Sequence, residues 1–200
     1  MISIIDYGVG NLNSVHKALL RLGFESNITN NINDINNSKA IILPGVGAFN
    51  DAMKNLKETE VIECISENVN KGKPLLGICL GMQLLYEKSF EDGVWEGLGF
   101  LKGEVVRFDE NVKIPHMGWN RLKINQNNEI LKYVNENDYV YFVHSYYVKP
   151  NGDELVAYTD YGVKVPGIVA KDNIYGMQFH PEKSGDVGLK LLKAFGEMIK

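Results

Sequence analysis

Three short segments of the chain are apolar without alternation: ISIID at residues 2–6, KAIIL at 39–43 and KPLLGI at 73–78. A strand that is apolar on both faces must be covered on both faces, which is the situation of strands in a parallel sheet. Each segment runs into a glycine-containing turn (DYGVGN, PGVG and GICLG), and stretches with helical character follow. After the first turn, Leu12, Val15, Leu19 and Leu22 fall on one helical face, and Gly23 marks its end. Residues 51–70 read as helix, broken or continuous, and Leu80 to Lys88 as another. Alternating buried strands and helices predict an α/β fold, with an open, mixed but mainly parallel central sheet flanked by helices.

From about residue 98 the texture changes. GEVVRF, YVYFVHSYYV, ELVAYT, PGIVAK and IYGMQF are β-like runs separated by polar or Gly/Pro turns, so an antiparallel portion is expected in the C-terminal half. DVGLKLLKAFGEMIK closes the chain as an amphipathic helix. The polar stretch NITNNINDINN at 27–37 reads as a surface loop or the edge of a helix. With no Pro/Ser-rich linker and no internal repeat, residues 1–200 are expected to form one domain, long enough to bury a substantial core.

The net charge of −4 provides no general attraction to nucleic acid or anionic membrane. No apolar run approaches the ~20 residues that span a bilayer, and MISIIDYG lacks the basic and long apolar regions of an export signal. A cytoplasmic location is therefore expected, with both cysteines as free thiols. Four histidines and two cysteines without clustered spacing leave no expectation of a metal or cofactor.

In open α/β sheets, ligands gather at the carboxyl ends of the strands, and GICLGMQ sits at such an end. Gly77-Ile78-Cys79-Leu80-Gly81 has the Gly-x-nucleophile-x-Gly form of a nucleophile elbow. The flanking glycines avoid collision in a tight strand-to-helix turn, and the helix start stabilises a thiolate at Cys79. A buried structural thiol is the competing reading; that reading fits Cys64, which has no flanking glycine and lies among Val61, Ile62, Ile65 and Val69.

A cysteine nucleophile needs a base, and the base needs an orienter. QFHPEK places His180 and Glu182 two apart, on the same side if the chain is extended, although HPE alone would also suit a surface turn. For an oxyanion, the N–H of Leu80 is one candidate donor, and the Gly45–Val46 or Val46–Gly47 peptide of PGVG can supply a second. Otherwise PGVG is simply a turn.

Together GICLGMQ, HPE and PGVG resemble the class I (triad) glutamine amidotransferases. DYGVGNLNSV, LPGVGAF and IPHMGWN narrow the resemblance to members that feed a cyclase of histidine biosynthesis. It runs in order from residue 4 to residue 182 and implies a flavodoxin-like fold. It implies that Cys79 attacks the side-chain amide of glutamine, that His180, oriented by Glu182, carries protons, and that water hydrolyses a thioester to glutamate. Val46 and Leu80 would line the oxyanion hole, Val46 through a peptide that flips when the partner is loaded. Gly45, Gly47, Gln83, Glu91, His144, Ser145 and Tyr146 would surround the substrate. Ammonia would pass to a separate (β/α)8-barrel cyclase subunit in a heterodimer, with Asn11, Met117 and Trp119 facing that partner; for Trp119, core packing is the equal alternative. Rival readings are a paralogous subunit serving another synthase, an elbow-cysteine peptidase or deglycase, and a binding subunit with a dead site.

Overall fold

The computed structural model describes residues 1–199. Its fourteen strands are, in order, β1 (Ile2–Ile5), β2 (Ser26–Thr29), β3 (Ala40–Gly45), β4 (Leu75–Cys79), β5 (Tyr86–Ser89), β6 (Trp95–Glu96), β7 (Leu101–Arg107), β8 (His116–Arg121), β9 (Lys123–Ile124), β10 (Tyr139–His144), β11 (Tyr146–Pro150), β12 (Leu155–Tyr161), β13 (Val163–Lys171) and β14 (Ile174–Met177). The helices are α1 (Leu12–Arg21), α2 (Ile32–Asn37), α3 (Phe49–Glu58), α4 (Val61–Asn70), α5 (Leu80–Leu84) and α6 (Gly185–Glu197).

The central sheet has eight strands in the order β2-β1-β3-β4-β14-β13-β12-β9. Pairing is parallel from β2 through β14 and antiparallel beyond it. This is the mixed, mainly parallel α/β sheet anticipated from the apolar runs, with the antiparallel part contributed by the second half of the chain. The apolar segments are divided residue by residue between two cores. Ile2, Ile4, Ala40, Ile42, Leu76 and Ile78 pack on one face with Val15 and Leu19 of α1 and Leu191 and Phe195 of α6. Ile5, Ile41, Leu43 and Leu75 pack on the other with residues of α3, α4 and α5. Alternation is present after all; both faces are simply apolar.

Three local readings are corrected. The first residues of the polar stretch, 27–29, belong with Ser26 to an edge strand, β2, because Ser26 to Thr29 pairs in parallel with Ile2 to Ile5 and only Thr29 is buried. An edge strand with one half-covered face needs no apolar run. Over 51–70 the broken form of the expected helix is found, as two helices separated where Glu60 takes a φ of 58°. The helix expected from Leu80 to Lys88 stops at Leu84, since Tyr86–Ser89 is drawn into a four-stranded sheet, β11-β7-β5-β6. The run YVYFVHSYYV likewise splits at Ser145: β10 pairs with β8 and β11 with β7, in different sheets. No helix among the described residues is long and apolar enough to cross a membrane.

Ile42 is fully buried in the middle of β3, between the parallel neighbours β1 and β4. Replacing it with alanine is expected to lower unfolding stability by about 3 kcal/mol, read from urea unfolding.

Candidate active site

The sulfur is presented by an abrupt reversal of the chain. Cys79 ends β4 and immediately precedes α5, with φ 56° and ψ −113°, a conformation that strains any side-chain-bearing residue. The two glycines have distinct duties. A Cβ on Gly81 would land on the carbonyl of Leu43 in β3. A Cβ on Gly77 would come within 2.7 Å of the Gly81 carbonyl oxygen. The elbow therefore closes only because neither residue has a side chain. The five-residue α5 begins immediately after Cys79, but none of its first N–H groups bonds to the Cys79 side chain.

Parallel register brings the other parts alongside. Gly45 is the cross-strand partner of Cys79, and Met177 that of Ile78, so both PGVG and the segment after β14 emerge next to the thiol. His180 lies two residues beyond Gln178, and its N–H bonds to the Tyr141 carbonyl of β10 at 3.1 Å. Ser184 clamps the same corner, donating to the His180 carbonyl at 2.7 Å and accepting from the Tyr141 N–H at 2.9 Å.

His180 Nδ1 meets Glu182 Oε1 at 2.9 Å, with both side chains buried. The two meet through a 3-10 turn, Pro181–Lys183, and not through extended chain as the spacing suggested. Proline at the first position of the turn starts it without losing a hydrogen bond. Burial alone would push the imidazole down. The ring's interactions with Cys79 and Glu182, to which its N–H groups donate, outweigh it and lift His180 to about 10. The ring thus favours the imidazolium form at neutral pH.

Cys79 and His180 open onto a cleft of about 350 Å³ lined also by Val46, Gly47, Leu80, Gln83, Glu91, Val143 and the segment His144-Ser145-Tyr146. Gly45 does not line it. Gly45 lies behind the wall, where an added Cβ would approach the Tyr7 hydroxyl to 2.6 Å. Gly47 has φ +92° and nothing near its missing Cβ, so the backbone angle alone asks for glycine. Glu91 reaches the cleft from the β5–β6 loop while one oxygen accepts the N–H of Phe49 at 2.7 Å, capping α3. Burial raises its carboxyl, the Phe49 N–H partly offsets this, and Asp92 and Asp51 raise it further.

His144 has both ring nitrogens engaged. Nδ1 donates to the Tyr146 carbonyl at 2.7 Å, which leaves Nε2 to accept from His116 Nδ1 at 3.0 Å. His116 Nε2 in turn accepts from the Asn120 amide at 3.3 Å. Burial lowers His116 to about 4; burial lowers His144 to about 3, and the nearby His116 and His180 add to this against the Tyr146 carbonyl. Two buried neutral histidines in series thus hold the strand end that borders the cleft. Asn11, expected to face a partner, turns inward instead: its amide donates to Glu182 Oε1 at 3.3 Å. It precedes α1 but makes no cap there, because its side chain is committed to the carboxylate. Met117 and Trp119 are 61% and 56% exposed on the outer face of β8, so core packing is excluded for Trp119, which meets Tyr141 edge to face at 5.9 Å.

Two contributors were not singled out from the sequence. Gln178 is buried against Gln83 and the sulfur; it lies two residues before His180, where a two-residue period along extended chain could have reached it. His116 lies within IPHMGWN, where nothing distinguishes it from its neighbours.

The histidine pair has a consequence for acid stability. In the unfolded chain both rings take up protons below about pH 6.5, while in the fold they resist until about 4 and about 3. Depressed folded values mean that the stabilisation is present above pH 6.5 and is withdrawn as pH falls toward 4. Urea unfolding of His116→Gln between pH 7 and 4 should therefore decline less steeply with falling pH than the parent, by up to one proton's slope.

With the geometry established, relationships to known proteins can be compared with it. The family model for glutamine amidotransferase class I matches residues 3–197. The chain is 56% identical to the imidazole glycerol phosphate synthase subunit HisH of Caldanaerobacter subterraneus subsp. tengcongensis, covering 100% of this chain and 99% of that one. It is 55% identical to the subunit of the same name from Lactococcus lactis subsp. lactis, over 99% and 98% of the two chains. Among solved structures, PurLQS from Thermotoga maritima superposes with a TM-score of 0.78 at 21% identity, over 100% of this chain and 98% of that one. A crystal structure described as a glutamine amidotransferase gives 0.76 at 21% identity, over 96% and 98%. These two establish a shared fold, and the family follows from the sequence matches: the chain belongs to the class I glutamine amidotransferases, in the group of imidazole glycerol phosphate synthase HisH subunits.

Proposed function

We propose that this chain is the glutaminase subunit of an imidazole glycerol phosphate synthase, with Cys79, His180 and Glu182 as its catalytic triad. The observation that carries this reading is the buried Cys79–His180–Glu182 array at an elbow, opening onto a cleft the size of a small amino acid's surroundings.

The chemistry follows from the charges. With His180 held as imidazolium, the sulfur attacks the side-chain carbonyl carbon of glutamine as thiolate, so no proton has to leave it at that step. The carbonyl oxygen becomes an oxyanion, for which the N–H groups of Val46 and Leu80, both on the cleft wall, are the backbone candidates. His180 then gives its proton to the departing nitrogen. The C–N bond breaks, ammonia leaves and a γ-glutamyl thioester remains. Neutral His180 next takes a proton from water, whose oxygen attacks the thioester; the C–S bond breaks, releasing glutamate and restoring the thiolate. Glu182 keeps the ring in register throughout, and Asn11 steadies Glu182.

Ammonia set free in water would be lost, so the reading includes a partner. The HisH relatives are named as subunits of imidazole glycerol phosphate synthase; the partner proposed here is a separate (β/α)8-barrel cyclase that consumes the ammonia in histidine biosynthesis. Met117 and Trp119 offer it an exposed apolar and aromatic face, residue types favoured at interfaces. Gln83, Ser145 and Tyr146 border the space for glutamine, as do Gly47, Glu91 and the backbone around His144.

Glutamate release should rise when the cyclase subunit and its nucleotide are added, and Cys79→Ala should eliminate it. A wild-type chain that releases no glutamate with the partner loaded would sink the reading. Val46 is 40% exposed at the cleft mouth and unrestrained by a side-chain role there. Val46→Pro, which removes its N–H, is expected to lower stimulated turnover by about 10²–10³-fold. Full stimulated turnover in folded Val46→Pro protein would remove Val46 from the oxyanion hole.

A further inference from the structure

One polar side chain approaches the sulfur from a direction the triad does not use. Gln178 follows β14, is fully buried, and places Nε2 4.0 Å from Sγ of Cys79. Which end of its amide faces the sulfur is settled by a chain of directional bonds. The Tyr146 main-chain carbonyl can only accept, so both groups that meet it, His144 Nδ1 at 2.7 Å and Gln83 Nε2 at 3.0 Å, donate. The second hydrogen of that Gln83 amide meets Gln178 Oε1 at 3.1 Å. With its oxygen so occupied, Gln178 has only its N–H groups to turn toward Cys79; the flipped amide would set two NH2 groups against each other.

The other polar groups around the sulfur cannot replace it. The Val143 carbonyl, also 4.0 Å away, is an acceptor that suits S–H and opposes the thiolate. The Tyr7 hydroxyl donates to the Pro44 carbonyl at 2.7 Å, and burial first, then the sulfur's charge, disfavours its ionisation. His180, backed by Glu182, is the remaining donor, and its proton is the one delivered to the leaving nitrogen. That proton travels to the leaving nitrogen and is replaced from water, whereas an N–H of Gln178 stays beside the sulfur through both steps.

We propose that Gln178 is a further catalytic residue whose Nε2–H donates to the Cys79 thiolate, before attack and again when the sulfur leaves the thioester, and that Gln83 fixes its direction. The idea rests on Cys79 as nucleophile of the proposed glutaminase and adds a donor to that site. It also gives Gln83 a task of its own, since both hydrogens of its amide are already placed before any substrate enters.

The test is the rate of Cys79 alkylation by iodoacetamide as a function of pH, in the parent, in Gln178→Met and in Gln178→Glu, with Cys64→Ala as the common background. Gln178→Met keeps the volume and removes the donor; the midpoint of the thiolate titration should move up by about one pH unit, the scale of one hydrogen bond to a charged group. Gln178→Glu, which sets an oxygen against the sulfur, should move it further. An unchanged midpoint in Gln178→Met protein with parental thermal unfolding would overturn the proposal. Because Gln178 is fully buried, a measurement on the unaltered side chain accompanies the variants. In ¹⁵N-glutamine-labelled protein, the Gln178 side-chain amide resonances should titrate with the sulfur's midpoint, and resonances indifferent to that ionisation would also overturn it. Alkylation consumes no glutamine, so a shifted midpoint in a protein that releases no glutamate would retain the Gln178 donor while refuting the glutaminase; normal glutamate release with an unshifted midpoint would do the reverse.

Discussion

The backbone of Gly81 rests directly on the Leu43 carbonyl of the neighbouring strand, and the candidate active site depends on that contact. It draws the first turn of α5 down onto β3, which forces Cys79 out of both strand and helix geometry and turns its sulfur toward the cleft. Parallel pairing does the rest. Since β3, β4 and β14 run in the same direction and in register, the chain leaves all three at one level, and PGVG, the thiol and the His180 corner meet without any long loop to hold them.

Around this frame the polar groups are ordered by direction as well as distance. A main-chain carbonyl that can only accept, at Tyr146, decides the state of His144 and, through it, of His116 and Asn120; it also decides the amide of Gln83 and then that of Gln178. Apart from the partly exposed Asn120, each of these side chains is buried, where a reversed amide or an extra proton would leave two donors facing one another. The same economy holds at the corner of the base, where one serine hydroxyl ties the His180 carbonyl to the strand that carries Tyr141 and, beside it, the exposed Trp119.

Much of this was legible in the chain because its causes are local. The apolar runs specify strands covered on both faces, and Gly77 and Gly81 about Cys79 specify the elbow, since only a missing Cβ permits it. What was not legible is decided by distant partners. Ser26 to Thr29 becomes a strand because β1 offers an edge, and Tyr86 to Ser89 because β7 claims it. Asn11 reads from the resemblance as a partner contact; only the fold brings Glu182, 171 residues away, to its amide. Gln178 and His116 are ordinary in sequence and acquire meaning from what their neighbours leave unpaired.

The backbone angle at Cys79 also bears on the history of the chain. A φ of 56° with a ψ of −113° is held without strain by glycine, and any other residue there gives up on the order of 1–3 kcal/mol. Mutation that drifted under selection for folding alone would settle on glycine at this position. A cysteine at an angle that favours glycine is what the proposed nucleophile requires, and it sits poorly with a subunit whose chemistry has lapsed.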